Sequence, residues 1–269
     1  MSALGDIAAA KLNLALHVRG KRPDGRHDIE TIFAFCTDGD RLSVEPADEL
    51  SLTATGPFAA ELPPKQDNVI LKAARRLAEV AGVERGAAIT LDKRLPVASG
   101  VGGGSADAGA TLRLLTSLWS IDPAHAQAVA PEIGSDVPAC LLSLPVRGEG
   151  AGDRLTPVDL SELSGRPVLL VNPRVSVSTA EVYAAWSGES GGPLENWRDG
   201  RNDLEEPAIA LAPQIGLALA WLSAQRGAEP PRMSGSGATC FALFDSQDAC
   251  DSADDAVPRE WWRLATFLR

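Results

Sequence analysis

The sequence predicts an α+β fold, in which strands and helices are mixed along the chain and do not alternate regularly. Three observations lead to this prediction. Strand-like alternation dominates the first 55 residues. A glycine-rich stretch, residues 96–108, joins a short apolar run to a strongly helical one. Near residue 157 the pattern restarts, so the 269 residues divide into two predicted halves, 1–156 and 157–269.

The charge balance restricts the partners of this chain. The formal net charge is −11, which provides no positive field to collect a nucleic acid, so no nucleic-acid partner is expected. Locally the sign reverses, because five basic residues lie close together with few acids between them: Lys11, Arg19, Lys21, Arg22 and Arg26. A basic cluster on an acidic protein suits a small anionic ligand.

The cysteines and the apolar segments indicate a cytoplasmic protein. The four cysteines are scattered and have no neighbouring histidines, which argues against a zinc site or a disulfide scaffold and fits a reducing compartment. The apolar stretch at residues 7–10 is too short for a signal peptide, and no run approaches the length of a membrane span. No membrane partner is therefore expected.

Residues 7–18 are predicted to form the first strand. Leu12, Leu14, Leu16 and Val18 alternate onto one face, and the opposite face carries Lys11, Asn13, Ala15 and His17. A lysine and an asparagine opposite an apolar stripe fit ordinary solvent-facing positions as well as functional ones. The residues alone leave both interpretations open.

Turns and further strands are predicted after this strand. Residues 19–27 contain Pro23-Asp24-Gly25 and are predicted to turn, and a strand follows at 29–35. Asp38-Gly39-Asp40 is predicted as a turn between that strand and another at 41–45, and a further strand is predicted at 50–55. Asn68 and Gly82 fit the first and last caps of a helix, and a strand is predicted at 88–91.

The glycine-rich stretch is predicted to bind an anion. Four of the five residues 100–104 are glycines, which weaken a fold and therefore serve close backbone approach. Ser105 is predicted to cap a helix over residues 106–119, and a helix N-terminus attracts phosphate. The spacing matches neither a Rossmann fingerprint nor a P-loop. The alternative is a flexible turn between a strand and a helix.

The first half ends with helices and a turn. Asp122-Pro123 is predicted to begin a short helix, and Asp136 occupies an N-cap position before another helical segment. From the residues alone, capping is the favoured role of Asp136. Residues 147–153 carry three glycines and are predicted to turn toward the second half.

The second half repeats the mixture of strands and helices. A buried strand is predicted at 166–172, and Ser178 with Glu181 forms a capping box. The remaining predictions are a loop at 187–201, helices at 204–211 and 213–225, a second glycine loop at 233–238, a strand at 239–244 and a final strand at 262–268.

Three separated segments resemble the motifs of the GHMP kinases. They are Ala10-Lys11-Leu12-Asn13-Leu14, residues 96–108, and Ser234-Gly235-Ser236-Gly237-Ala238. The segments Asp24-Gly25-Arg26-His27 and Gly134-Ser135-Asp136-Val137-Pro138 resemble more narrowly the members that act on a methylerythritol joined to cytidine diphosphate. The resemblance implies a two-domain fold, with a ribosomal protein S5 domain 2-like N-terminal domain and a ferredoxin-like C-terminal domain. It also implies an active site in the cleft between the halves.

The resemblance implies a chemistry as well. ATP, with Mg²⁺, would transfer its γ-phosphoryl group to the 2-hydroxyl of the substrate, a step of the non-mevalonate route to isoprenoid precursors. Asp136 matches the catalytic aspartate that accepts the proton of the attacking hydroxyl, and Lys11 matches the active-site lysine. The lysine would keep Asp136 ionised and stabilise charge on the transferred group.

The remaining site residues fall into two groups by resemblance. The ATP phosphates would lie on the first glycine loop, which comprises Pro96, Val97, Ala98, Ser99, Gly100, Val101, Gly102, Gly103, Gly104 and Ser105. The substrate would contact Asn13, Arg26, His27, Tyr183, Gly235, Ser236 and Gly237. His27 would hydrogen-bond the cytosine edge. The residue before this histidine is usually aromatic but is Arg26 here, so we expect Arg26 to cover one face of cytosine and Tyr183 the other. The family's second loop serine is Ala106 here.

Two other functions compete with this interpretation. One is a GHMP kinase for homoserine, mevalonate or a sugar, in which a base-reading His27 would serve no purpose. The other is a regulatory protein that binds a nucleotide without turnover, against which Lys11 and Asp136 argue. For any of them the expected assembly is a monomer or a homodimer.

Overall fold

The computed structural model describes residues 3–64, 66 and 68–269. The chain forms two compact units, and each unit is built from several separate segments. The first contains residues up to Ala10, Asp38–Val97 and Gly102–Ser143, and the second contains Lys11–Thr37, Ala98–Val101 and Leu144–Arg269. These units do not follow the predicted halves 1–156 and 157–269, because the N-terminal strands contribute residues to both.

The first unit combines a mixed sheet with four helices. Strands β1 and β2 lie partly in it, and β4 pairs with β3 in parallel and with β2 antiparallel. A parallel pair needs a crossover connection, which helix α1 supplies between β3 and β4. The bounds are β1 Leu4–Lys21, β2 His27–Ala47, β3 Leu50–Thr55, β4 Gly86–Asp92, α1 Val69–Ala81, α2 Gly103–Trp119, α3 Pro123–Ile133 and α4 Val137–Leu142.

The predicted caps of α1 and α3 are confirmed. Asn68 Oδ1 accepts a hydrogen bond from Ile70 N at 2.9 Å, and Gly82 ends α1 with a φ of 63°. Asp122 Oδ1 accepts from Ala124 N at 2.8 Å at the start of α3. Local sequence therefore fixes both ends of α1 and the beginning of α3.

The predicted turn at Asp38-Gly39-Asp40 is wrong, because β2 continues through it. A Cβ atom at Gly39 would lie 2.0 Å from Ala8 O, so the glycine permits a close approach between neighbouring strands. The Asp40 side chain is buried in an ion pair with Lys93. Gly39 and Asp40, which resemble turn residues in the sequence, are thus held in a strand by contacts with distant residues.

The predicted N-cap of α2 is also wrong. The cap is Gly102, whose φ of 68° is in the left-handed region, and Ser105 lies inside the first turn. A left-handed cap is accessible to glycine at little cost, whereas serine would be strained there. The apolar face predicted for this helix is confirmed, since Ala108, Leu112, Leu115 and Trp119 are buried.

The second unit contains a four-stranded antiparallel sheet with the order β10–β7–β9–β8. When β7, β8, β9 and β10 are numbered 1 to 4 along the chain, their order in the sheet is 4-1-3-2. This is the strand order of the predicted ferredoxin-like fold. Strands β5 and β6 pair with each other, and β5 pairs with β2. The bounds are β5 Val146–Gly150, β6 Arg154–Pro157, β7 Pro167–Asn172, α5 Thr179–Ala184, α6 Glu205–Leu211, α7 Gln214–Ser223, β8 Arg232–Met233, β9 Cys240–Leu243, α8 Gln247–Ala256 and β10 Trp262–Phe267.

Two features of this unit differ from the predictions. The segment 147–153 is a turn only at its end, because residues Val146–Gly150 form β5. A Cβ at Gly148 would lie 2.7 Å from the Phe33 ring, so this glycine serves strand packing. Helix α8 is not predicted at all, because its sequence carries four acids and few apolar residues. Ser246 caps it by accepting from Ala249 N at 3.3 Å.

The core of the second unit lies around β7. Its residues Val168 to Val171 are fully buried, in agreement with the predicted buried strand. Ser178 Oγ accepts from Glu181 N at 3.4 Å and caps α5 as the capping box predicts. Among the described residues, no helix combines the length and the apolar character that a membrane crossing requires.

Candidate active site

Lys11 is a buried cation on β1 in the second unit. Only 3% of its surface is exposed, and its Nζ donates a hydrogen bond to Asn13 Oδ1 at 2.7 Å. The ammonium also lies 5.4 Å from the centroid of the Phe33 ring. Asn13 and His17 are equally buried. The solvent-facing interpretation of this strand face is therefore wrong.

The orientation of Asn13 is fixed by a chain of hydrogen bonds. Its Nδ2 donates to Thr31 Oγ1 at 2.8 Å, and Thr31 Oγ1 donates to Ala15 O at 2.6 Å. The amide oxygen is thereby directed at Lys11. A lysine positioned in this way is a preorganised positive charge that needs little rearrangement when an anion arrives.

Residues 98–101 of the first glycine loop lie against the second glycine loop, both within the second unit. Lys11 N donates to Val101 O at 2.9 Å, and Thr239 N donates to Ser99 O at 3.1 Å. Ser234 Oγ donates to Gly100 O at 3.0 Å and accepts from Asn13 N at 3.2 Å. Ser234 therefore links the lysine strand to both loops.

Gly100 provides a test of this close packing. Its φ is 85°, and a Cβ there would lie 2.5 Å from Ser234 O and 2.7 Å from Gly237 O. Gly165, in the same unit, has a φ of 75° with nothing within 4 Å of its Cβ position. We expect Gly165→Ala to cost about 1–2 kcal/mol from backbone strain alone. Gly100→Ala should cost about 1–3 kcal/mol more because of the clash.

Urea unfolding of the two variants measures the difference. Equal losses of unfolding free energy would contradict the close approach of the two loops.

The second glycine loop is held by side chains from outside it. Asn202 Nδ2 donates to Met233 O and to Gly235 O, both at 2.8 Å. Ser236 Oγ lies 2.8 Å from Thr179 Oγ1. Gly235 and Gly237 have φ values of 59° and 88°, which serine or alanine would adopt only with strain. This loop presents main-chain groups in a fixed conformation.

The remaining residues of the first glycine loop, Pro96, Val97 and 102–105, belong to the first unit. Gly103, Gly104 and Ser105 form the first turn of α2, where the main-chain N–H groups have no partner inside the helix. Gly104 is exposed, so an anion can approach this turn. The helix has 17 residues, and its dipole favours negative charge at this end.

Asp136 lies at the N-cap position of α4 in the first unit, but its side chain makes no capping hydrogen bond. Ser135 Oγ donates to Asp136 Oδ1 at 3.4 Å. The position is as predicted, whereas the capping role that the residues alone favoured is wrong. The carboxylate is half-buried and therefore accessible to a ligand.

The predicted base-binding residues lie in the second unit and include a stacked pair. The rings of His27 and Tyr183 are 4.8 Å apart between centroids and 24° from parallel. Trp186 meets His27 edge-on at 5.8 Å. Arg26 instead pairs with Asp24 at 3.2 Å, and its side chain is 64% exposed.

The protonation of His27 is biased by its surroundings. Partial burial lowers its pKa below the ordinary value of 6.5, and the charge of Lys21 lowers it further. The neutral ring is therefore favoured at neutral pH. A neutral imidazole carries one donor and one acceptor, which suits a nucleobase edge.

The structure contains no preformed all-protein metal cage in its described part, where no group of three or more His, Cys, Asp or Glu is assembled. Magnesium usually binds through one or two carboxylates and the phosphates of its substrate, and keeps several waters.

Sequence reasoning missed several residues that shape the site. Thr31 and Asn202 act through hydrogen bonds to segments distant in sequence, which no local pattern indicates. Ser234 belongs to the second glycine motif, but its hydrogen bonds to Asn13 and Gly100 were not predicted. Asp107 could have been recognised from the sequence as a buried charge, because it is a charged residue among small apolar residues at the start of α2. Its partners are Lys93 and Asp40.

Comparisons with known proteins define the class first. The N-terminal domain of the GHMP kinases matches residues 68–143, and the C-terminal domain of the GHMP kinases matches residues 192–263. A crystal structure of homoserine kinase from Cytophaga hutchinsonii superposes with a TM-score of 0.75 at 17% identity, over 100% of this chain and 95% of the other. At that identity the likeness concerns the fold alone.

Other relatives are much more similar. A protein of Rhizorhabdus wittichii named 4-diphosphocytidyl-2-C-methyl-D-erythritol kinase is 50% identical over 98% of this chain and 94% of its own. A protein of the same name from Novosphingobium aromaticivorans is 46% identical over 99% and 93%. A crystal structure of 4-(cytidine 5'-diphospho)-2C-methyl-D-erythritol kinase has a TM-score of 0.84 at 33% identity, over 98% and 99%. The chain belongs to the 4-diphosphocytidyl-2-C-methyl-D-erythritol kinase family of the GHMP kinases.

Proposed function

We propose that this protein is an ATP-dependent kinase that phosphorylates the 2-hydroxyl of 4-diphosphocytidyl-2-C-methyl-D-erythritol, in the non-mevalonate route to isoprenoid precursors. The observation that carries the chemistry is the buried Lys11–Asn13 pair beside residues 98–101 of the first glycine loop. The names of relatives 46–50% identical over nearly the whole chain support the substrate.

In this proposal Asp136 and Lys11 act on the same alcohol. Asp136 accepts the proton of the attacking hydroxyl, and the Lys11 ammonium stabilises the charge that spreads over the transferred group. Phosphoryl transfer asks the protein mainly for positioning and electrostatic stabilisation. The Thr31–Asn13 hydrogen bonds that direct Lys11 supply part of that positioning.

The two glycine loops divide the phosphates between them. The first turn of α2 and residues 96–105 bind the ATP phosphates through main-chain N–H groups. Gly235, Ser236 and Gly237 contact the diphosphate of the substrate. A Mg²⁺ ion bound to ATP would offset the charge of its phosphates. We further propose that residues 1–156 form the ATP-binding half and 157–269 the substrate side, which the matches at 68–143 and 192–263 support.

His27 and Tyr183 read the cytosine in this proposal, with Asn13 as a neighbouring contact and Arg26 over the second face. A direct stack at 4.8 Å leaves no room for a base between the rings of His27 and Tyr183. A base covered by Tyr183 therefore replaces His27 against the Tyr183 ring, and the His27 ring moves aside so that its nitrogens meet the edge of the cytosine.

A panel of acceptors tests the proposed function. The protein is incubated with magnesium and ATP and, separately, with 4-diphosphocytidyl-2-C-methyl-D-erythritol, homoserine, mevalonate and galactose, and ADP release is followed. We expect release only with the cytidine acceptor. Turnover of another acceptor in its place would favour a different GHMP kinase, and ATP binding without any turnover would favour a regulatory protein.

His27→Ala tests the base contact. We expect KM for the cytidine acceptor to rise about 10- to 100-fold, because one hydrogen bond to the base is lost and its partner group is left unpaired. KM for ATP should not change. In the wild type, KM for the acceptor should rise as the pH falls through the lowered pKa of His27, because protonation removes the acceptor nitrogen. His125→Ala, at a partly exposed histidine of α3 in the first unit, is the matched control. An unchanged acceptor KM in His27→Ala would contradict the assignment.

A further inference from the structure

Three charged side chains form a buried cluster in the first unit. Lys93 Nζ donates to Asp40 Oδ2 at 2.5 Å and to Asp107 Oδ2 at 2.8 Å. The three residues are 1%, 0% and 2% exposed. They come from three elements, since Asp40 is in β2, Lys93 follows β4, and Asp107 is in the second turn of α2.

The cluster contacts the main chain on both sides of the first glycine loop. Asp40 Oδ1 accepts from Arg94 N at 2.5 Å and from Leu95 N at 2.8 Å, immediately before Pro96. On the other side, a Cβ at Gly103 would lie 3.1 Å from Lys93 Nζ, so the ammonium lies directly against the first residue of α2. The same three side chains thus fix where the loop begins and where it ends.

Stability alone does not explain the cluster. Replacing a buried ion pair by apolar residues of similar size is often neutral or stabilising, because burying the charges is costly. Within the described part of the chain, Asp107 Oδ1 is buried without a hydrogen-bond partner.

We propose that Asp40, Lys93 and Asp107 form a buried ionic clamp that holds the first turn of α2 in the geometry that binds ATP phosphates, with Lys93 as a positioning residue. This inference rests on the proposed binding of ATP at that turn. The family relationship assigns the loop its ligand, whereas the clamp concerns the side chains beneath it.

Electrostatics gives the clamp two effects of opposite sign. The Lys93 ammonium adds positive charge beside the helix N-terminus, where it supports the dipole in attracting phosphate. The carboxylates of Asp40 and Asp107 oppose it. Without Lys93, two carboxylates would face the turn that receives the phosphates and would repel them. Without the negative charge of Asp107, less of the positive charge of Lys93 would be neutralised, and the turn would attract phosphates more strongly. The two losses should therefore change phosphate affinity in opposite directions.

Binding titrations at pH 8 with a non-hydrolysable ATP analogue and with adenosine separate this effect from a loss of structure. Lys93→Met should weaken binding of the analogue about tenfold, and Asp107→Asn should tighten it about threefold. Adenosine, which has no phosphates, should bind each variant as it binds the wild type. Asp6→Asn is the matched control, because Asp6 pairs at 2.7 Å with Arg113 of the same helix, ten residues beyond Gly103. It should leave both affinities unchanged.

The outcomes distinguish the clamp from the proposed function. If the wild type fails to bind the analogue, the proposed function is wrong and the clamp with it. If the wild type binds the analogue but Asp107→Asn binds it equally or more weakly, the clamp is wrong and the function stands. An equal loss of analogue and adenosine in Lys93→Met would also overturn the clamp. Should Lys93→Met fail to fold, the sign of the Asp107→Asn effect decides.

Discussion

Asp136→Asn should lower kcat by about 10²–10⁴, because it removes the group that we propose to accept the proton of the attacking hydroxyl. The affinity for an ATP analogue should stay within about twofold of the wild type, since the glycine loop is unchanged. Steady-state kinetics with the cytidine acceptor and a binding titration with the analogue measure the two effects separately.

The structure also separates this catalytic role from a capping role. Asp136 makes no capping hydrogen bond, whereas Asp122 caps α3 through Ala124 N. Asp122→Ala should therefore lower the unfolding free energy by about 1 kcal/mol and keep the wild-type rate. Asp136→Asn should show the reverse pattern. A rate within threefold of the wild type for Asp136→Asn would contradict its assignment as the base.

Lys93→Met should lower the free energy of unfolding by about 3–5 kcal/mol, because it leaves two buried carboxylates without their cation. Methionine has nearly the shape of lysine, so the change isolates the charge. Urea unfolding followed by circular dichroism measures the loss. Arg76→Met is the control, since Arg76 pairs with Glu79 and Glu132 on the surface and its loss should leave the unfolding midpoint near the wild type. A wild-type midpoint in Lys93→Met would show that the buried ion pairs contribute nothing.

The same cluster predicts a pH dependence of stability. Burial, together with the negative charge of Asp40, raises the pKa of Asp107 to about 7 against the opposing effect of Lys93. The folded state therefore binds a proton more readily than the unfolded state. The resulting stabilisation is complete below the unfolded pKa and is lost as the pH rises through about 7. Asp107→Asn should lack this decline between pH 4 and pH 7, and an identical pH profile in the two proteins would contradict it.

Local sequence predicted those elements whose ends carry their own signals. Asn68, Gly82, Asp122 and Ser178 all act as caps in the structure, and the fully apolar run 168–171 is the buried strand it resembles. In each case the residues that define the element are neighbours in sequence. The α+β class can be predicted from such elements, because it depends on their type and their order along the chain and not on contacts between distant residues.

The wrong predictions concern residues whose conformation depends on contacts with residues distant in sequence. Gly39 and Asp40 resemble a turn, but Ala8 and Lys93 make them part of a strand. Gly148 resembles a loop residue, but the Phe33 ring requires a glycine there. Helix α8 was missed because it is strongly acidic, and its place between β9 and β10 is required by the ferredoxin-like order of the sheet rather than by its own pattern.

The same distinction between local sequence signals and contacts with distant residues applies to the candidate site. Motif resemblance predicted Lys11, Asn13 and the two glycine loops as site residues, and hydrogen bonds within the second unit link Lys11, Asn13, Ser234 and Gly100. Their roles in a site stay predictions. It could not identify Thr31 or Asn202, whose hydrogen bonds hold Asn13 and the second glycine loop in place. The roles assigned to Arg26, Tyr183 and Asp136 stay predictions.

A crystal structure with a non-hydrolysable ATP analogue and the cytidine substrate tests the central claim most directly. The account predicts that the triphosphate contacts main-chain N–H groups of residues 100–105, that the 2-hydroxyl lies within hydrogen-bond distance of Asp136, and that cytosine contacts His27. A nucleotide bound away from residues 100–105, or a substrate hydroxyl out of reach of both Lys11 and Asp136, would contradict it.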